Sequence, residues 1–237
     1  MNNYNFELIK YSYIRGFIKN NKIAINSDIL NKTLDELNEN DKLFLQEIAT
    51  KHSLKLYYFK EKDYLPRVNI VLGFLKGIYP ESLLDIGSGR GVFLFPLLKE
   101  LGNINITSME ILPRRHELMK NISDGGINNL NPIMDDITTT KLDKKYDVVT
   151  MLEVLEHIPD VNKAIENAIK LAKDYIVITV PSKEDDNPEH IHLLTKDILT
   201  NIFNSFGVTK LSFSGVNGHL FLIAKMRWYN EWINKIP

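Results

Sequence analysis

Two short stretches carry residue types whose spacing can do chemistry. The first is Leu83-Leu84-Asp85-Ile86-Gly87-Ser88-Gly89-Arg90-Gly91-Val92, an apolar run with an acid near its end and then glycine at every second position. Glycines permit positive φ and remove the Cβ atoms that would hold a ligand away. A helix starting directly after them presents free N–H groups to an anionic ligand group. The stretch therefore reads as strand, turn and helix start, the βα turn of a nucleotide-binding unit. A dinucleotide turn follows G-x-G-x-x-G, and counted from Gly87 its third glycine falls at position 92, which is valine. Asp85, two residues ahead of Gly87, would repel a pyrophosphate and suits a ligand carrying an ammonium or a sulfonium. The second stretch is Glu153-Val154-Leu155-Glu156-His157. On a helix, i, i+3 and i, i+4 spacing puts Glu153, Glu156 and His157 on one face. His157 can then act as general base on an acceptor hydroxyl. Alternatively, two carboxylates and an imidazole can ligate a magnesium- or manganese-like ion.

The elements that must position these residues alternate along the chain. Strands are expected at Leu83–Ile86, Ile104–Met109, Leu130–Met134, Asp147–Leu152 and Tyr175–Val180. Helices fall between them: from about Val92 to Leu101, from Pro113 to near Gly125, and over Val161–Ala172, with Thr195–Phe206 following the fifth strand. Val208–Ser214 and His219–Ala224, around a Gly215–Gly218 turn, read as a closing hairpin. Strands alternating with helices predict a parallel, doubly wound sheet. The hairpin, lacking a crossover helix, requires one antiparallel strand. Ahead of this unit, residues 1–65 read as an N-terminal helical extension, a lid or a scaffold. Phe6, Ile9, Tyr13, Ile14 and Phe17 recur at helical spacing, and Leu56-Tyr57-Tyr58-Phe59 reads as a strand or an aromatic patch. The main domain is expected over 66–226, with Pro66 opening a helix, and an aromatic C-terminal tail over 227–237.

Asp85-x-Gly87-x-Gly89-x-Gly91 resembles motif I of the class I S-adenosylmethionine (SAM) dependent methyltransferases, and the likeness extends over 66–226. That resemblance implies a Rossmann-like seven-stranded sheet with its last strand antiparallel, and SAM as cofactor with S-adenosylhomocysteine (SAH) as product. It implies cofactor contacts at Asp85, Gly87, Ser88, Gly89 and Gly91. Glu110, at the tip of the second strand, is placed to accept from both ribose hydroxyls. Asp136 and Ile137 would meet the adenine, and Leu152 and Glu153 the methionine part. Glu-x-x-Glu-His also resembles the metal motif of ubiquinone-pathway O-methyltransferases and of small-RNA 3′-terminal ribose 2′-O-methyltransferases. The latter add a downstream histidine, for which Pro188-Glu189-His190-Ile191-His192 offers His192 or His190. The implied metal set is Glu153, Glu156, His157 and His192, holding Mg2+ or Mn2+. Other SAM methyltransferases carry Glu-His here without a metal, so a pocket-lining or structural role stays open.

Composition trims the alternatives. The 237 residues contain no cysteine, which excludes disulfides, thiolate zinc sites and a cysteine nucleophile, and with it cytosine-C5 methylation by the covalent route. A net charge of −1 gives no bulk pull toward nucleic acid or an anionic membrane. The N-terminus shows no basic segment followed by an apolar run, and no apolar run approaches the ~18 residues of a membrane span. A soluble cytoplasmic protein is expected. The fourth strand lacks an Asn/Asp-Pro-Pro-Tyr ending, which argues against amino-directed adenine methylation. The polar loop Ser182–Pro188 reads as a substrate gate or a solvated surface. The expected activity is methyl transfer from SAM to an oxygen of a small-molecule acceptor. The alternatives are a metal-dependent RNA 3′-terminal ribose 2′-O-methyltransferase, a NAD-linked oxidoreductase, or a SAM-binding protein without catalysis.

Overall fold

The computed structural model describes residues 4–61, 63–184 and 186–226, so the tail expected over 227–237 lies outside the described residues. Seven strands form one sheet: β1 (Ser82–Ile86), β2 (Asn105–Glu110), β3 (Leu130–Met134), β4 (Tyr146–Leu152), β5 (Ala172–Pro181), β6 (Leu211–Val216) and β7 (His219–Lys225). Their order is β3-β2-β1-β4-β5-β7-β6. The pairs β2–β3, β1–β4 and β4–β5 are parallel, whereas β7 runs antiparallel to both β5 and β6. This is the doubly wound sheet with a reversed closing strand that the element order predicts. Chain contacts group the protein into two units. One holds the described residues up to Asp63 together with Ser88–Met134; the other holds Tyr64–Gly87 and the described residues from Asp135 onward.

In the first unit, α1 (Phe6–Asn20) begins at Asn5, whose side chain accepts from Leu8 N. It packs on α6 (Pro113–Asp124), and two glycines set the closeness of that crossing. A Cβ on Gly16 would sit 1.8 Å from Asn121 O, and one on Gly125 1.7 Å from Ser12 O. Ser12 Oγ donates to Ile122 O at 2.5 Å, and Asn20 Nδ2 to Asn121 Oδ1 at 2.7 Å. Buried Arg15 donates to Leu30 O and Lys32 O, tying α2 (Asp28–Asn31) to α1 and directing a cation at the end of that short helix. A capping box of Asn38 and Asp41 starts α3 (Glu39–Lys51). Leu56–Phe59 forms a single 3-10 turn, not a strand. The turn aims its rings differently: Phe59 stacks on Phe95 at 5.2 Å and meets Tyr13, while Tyr57 stays exposed. Phe95 belongs to α5 (Leu94–Glu100), which starts later than sequence periodicity suggests, after Phe93.

In the second unit, Pro66 does open α4 (Pro66–Ile78). Strands β1, β4 and β5 are buried on both faces, which accounts for their nearly continuous apolar runs. Their lower ends are clasped by Asp147. Its Oδ2 accepts from Glu81 N and Ser82 N, its own N–H donates to Ser82 Oγ, and Lys173 Nζ reaches Oδ1 at 2.9 Å. Asp160 caps α7 (Val161–Leu171) and Thr195 caps α8 (Lys196–Ser205). The strand expected from Val208 begins at Leu211, because Val208 N–H instead donates to Phe203 O and closes α8. No described helix is long and apolar enough to cross a membrane.

Candidate active site

The glycine turn adopts the backbone its sequence demands. Gly87, Gly89 and Gly91 all have positive φ, at 70°, 59° and 82°. Space matters as much as torsion: a Cβ on Gly87 would meet Val154 Cγ2 at 2.6 Å, and one on Gly91 would strike the Phe95 ring at 2.4 Å. Within the first unit, Glu110 ends β2 and is buried, at 3% exposure. Its Oε2 accepts from Gly89 N at 2.9 Å and its Oε1 from Leu112 N at 3.3 Å. Ser108 Oγ donates to Ser88 Oγ at 2.8 Å, fixing the start of the turn. Ile111, directly after Glu110, is 58% exposed, an apolar side chain at a strand tip that periodicity alone did not single out.

Within the second unit, Asp85 is buried near the end of β1, and its Oδ1 accepts from Thr150 Oγ1 at 2.7 Å. The two residues are register partners on β1 and β4. Past β3, Asp136 Oδ1 accepts from Thr138 N and Thr138 Oγ1, while Asp135 takes Thr140 Oγ1. Ile137 is buried, and its carbonyl accepts from Asn167 Nδ2 at 2.7 Å. Leu152 ends β4, half-buried.

Glu153–His157 does not form the helix on which these three residues would share a face. Glu153 takes a left-handed backbone, φ 58°, and only Leu155–His157 makes one 3-10 turn. The reason lies in what Glu153 bonds to. Its N–H donates to Thr179 O, its Oε1 accepts from Thr179 Oγ1 at 2.8 Å, and its Oε2 meets His219 Nε2 at 3.0 Å and Arg67 Nε at 3.8 Å. Thr179, His219 and Arg67 come from three elements far apart in sequence, so no local spacing marked them. Glu153 is thereby drawn away from the other two residues of its motif.

The structure instead gathers Glu156, His157 and His190, whose potential ligand atoms lie within 4.8 Å of one another. Glu156 is fully buried, His157 exposed and His190 half-buried. The loop carrying His190 is laced to the 3-10 turn: Ile191 N–H donates to Glu156 O, and His192 Nε2 lies 3.1 Å from Ile158 O. His190 enters the cluster, whereas His192 turns its Nε2 to Ile158 O. His157 Nδ1 faces Glu189 O at 2.9 Å, and the His157 and His190 rings meet edge to face at 4.8 Å. A carbonyl oxygen only accepts, so Nδ1 carries the proton in the neutral ring and Nε2 keeps its lone pair. Beside this loop an open cleft of about 400 Å³ is lined by Pro159, Val161, Ile191, His192 and Ile198.

The residues present fit SAM through buried carboxylates at strand ends, Asp85 and Glu110, suited to a cation and to hydroxyl donors. A sheet of this order with such a turn defines a Rossmann-like, doubly wound α/β class. Comparison with known proteins agrees. A family model described as a methyltransferase domain matches residues 57–212, more than half of the chain. A ubiquinone biosynthesis O-methyltransferase of Rickettsia prowazekii (strain Madrid E) is 22% identical over 184 residues, 68% of this chain and 72% of the relative. The enzyme of that description from Rickettsia akari (strain Hartford) is 31% identical over 92 residues, 39% of this chain and 36% of its own length, so the chain spans about a third of that relative. The N-terminal domain of EvdMO1, solved in the presence of SAH and D-fucose, superimposes with a TM-score of 0.61 at 12% identity, covering 78% of this chain and 97% of that domain. That likeness shows the fold. The chain belongs to the methyltransferase-domain family.

Proposed function

We propose that this protein transfers the methyl group of SAM to an oxygen atom of a small-molecule acceptor. SAM supplies a sulfonium-activated methyl group, and what is left to the protein is positioning, exclusion of water and removal of the acceptor's proton. The observation that carries the reading is the cluster of Glu156, His157 and His190, which follows β4. His157, held through Nδ1 by Glu189 O, offers Nε2 as a base to an acceptor hydroxyl. Buried Glu156 and the His190 ring fix its surroundings. For the cofactor, Glu110 would take the ribose hydroxyls, and Gly87, Ser88, Gly89 and Gly91 would let the backbone approach. Asp85 would supply the negative charge beneath the turn. Asp136 and Ile137 would meet the adenine, with Ile111 as an apolar neighbour, and Leu152 and Glu153 the methionine part. The curated relatives named above, described as O-methyltransferases, support oxygen as the acceptor atom.

A second reading is favoured by the same cluster. Glu156, His157 and His190 form a carboxylate–imidazole donor set of the kind that holds a divalent cation. A Mg2+ or Mn2+ ion there would orient a vicinal diol and lower the pKa of its hydroxyl. This set replaces the one expected from sequence, since Glu153 is bonded to Thr179 and His219, and His192 lies against Ile158 O. The test is calorimetric titration of SAH into chelator-treated protein, with and without manganese, followed by methyl-transfer assays on catechols and on RNA bearing a 3′-terminal diol. SAH binding with turnover of catechols alone supports the first reading. Manganese binding abolished by His190→Ala supports the second. Absence of SAH binding under either condition sinks both.

A further inference from the structure

In the second unit, α4 carries more apolar surface than its packing uses. Val68, Val71, Leu72 and Leu75 are its buried residues. Ile70, Phe74 and Ile78, spaced i, i+4 and i+8, form a second apolar stripe that is only half-buried. Gly73 and Gly77 run alongside that stripe. Both are exposed, and a Cβ on either would meet nothing within 4 Å among the described residues. Glycine is the poorest helix former after proline, and no described neighbour accounts for two of them inside one helix. Leu65 and Tyr79 extend the apolar surface at the two ends of α4, being 40% and 55% exposed.

The described chain ends beside this helix. Phe74 meets Tyr175 of β5 edge to face, with ring centroids 5.3 Å apart. Tyr175 is the register partner of Lys225, the last residue of β7, and buried Met226 donates its N–H to Asp174 O at 2.8 Å. Eleven residues follow, Arg227-Trp228-Tyr229-Asn230-Glu231-Trp232-Ile233-Asn234-Lys235-Ile236-Pro237. Among them Trp228, Tyr229, Trp232, Ile233 and Ile236 recur at helical spacing. Wound as a helix, the segment would be about 15 Å long, within the roughly 20 Å of the 13-residue α4. Glycine lets a neighbouring element come close to the helix backbone, and tryptophan and tyrosine have large apolar areas to bury. We infer that residues 227–237 form a short helix lying on α4, with Trp228 and Trp232 packed over Gly73 and Gly77 and against Ile70 and Phe74.

Trp228 and Trp232 are the only tryptophans in the sequence, so tryptophan fluorescence reports on this segment alone. The experiment measures emission and acrylamide quenching of the full chain, folded and in urea. Folded protein should emit at shorter wavelength, with a quenching constant at least threefold below that of the unfolded chain. That protection should survive tenfold dilution, as a contact within one chain requires. Gly77→Gln puts a long side chain into the space beside α4 and should raise the quenching constant at least twofold, with a circular dichroism melt showing the variant folded. Gly73→Ala, a smaller change, should move the constant in the same direction. Tryptophans quenched equally in the folded and unfolded chain overturn the inference. So does protection lost on dilution, which would put the segment on a second copy, or gained only with phosphatidylglycerol vesicles, which would put it on a membrane. Protection undiminished in both glycine variants overturns it as well. On a bare α4, Gly77→Gln would stabilise, glutamine being the better helix former, so a raised urea midpoint in that variant also counts against the docked segment.

Discussion

Replacing Glu110 by glutamine changes shape hardly at all and isolates the charge. The carboxylate accepts from two backbone N–H groups, Gly89 at 2.9 Å and Leu112 at 3.3 Å. An amide offers one oxygen and one NH2, so in Glu110→Gln one of those N–H groups must face a donor. The same loss applies to the ribose hydroxyls that Glu110 is proposed to receive. A hydrogen bond to a charged group contributes about 1.5–3 kcal/mol, against about 1 for a neutral one. Losing one charged acceptor therefore predicts SAH binding weaker by roughly ten- to a hundredfold, at 1.4 kcal/mol per decade. Calorimetric titration of SAH measures it, with a circular dichroism melt confirming that the variant is folded. Unchanged SAH affinity in folded Glu110→Gln would refute the ribose assignment.

Three further outcomes follow from the same coordinates. Gly16→Ala gains about 1 kcal/mol of helix propensity but places a methyl 1.8 Å from Asn121 O. Overpacking of about 1–3 kcal/mol together with about 1 kcal/mol from loss of the Ser12–Ile122 hydrogen bond should dominate, so urea denaturation should show a net loss; a more stable variant would mean that α1 does not dock on α6. Burial alone would raise the Asp147 carboxyl, but hydrogen bonds from Lys173, Ser82 and Glu81 together hold it below its ordinary value. A depressed folded pKa means stability present above the unfolded value, near 3.9 by the reference scale, and lost as pH falls through the folded one. Asp147→Asn should thus destabilise by about 1–2 kcal/mol at neutral pH, and the gap to wild type should close below about pH 4; a pH-independent gap would contradict the clasp. Finally, His157→Asn should leave SAH affinity unchanged and lower methyl transfer by about 10²–10⁴-fold, and full activity in that variant would remove His157 as the base.

How much the sequence disclosed depended on the range of the interactions. The turn at Gly87–Gly91 was legible because its geometry is local: three positive φ angles need glycine and a strand must precede them. Strand alternation and the closing hairpin were legible for the same reason. The bend at Glu153 was not, because Thr179, His219 and Arg67 impose it from distant elements. The choice between His190 and His192 was also hidden, since His192 is held by Ile158 O, a partner more than thirty residues away in sequence.

The approach of α1 to α6 has a consequence for protein engineering. Where helices touch through side chains, one can be exchanged for a homologous segment and the contact repacks. Here the backbone of each helix occupies the space where the other would carry a Cβ, at Gly16 and Gly125. A chimera that imports a foreign N-terminal segment must therefore import α6 with it, and α6 begins only three residues beyond Glu110. The segment and the proposed ribose ligand form one transplantable module, so a graft intended to change acceptor selectivity must be rescreened for SAH affinity.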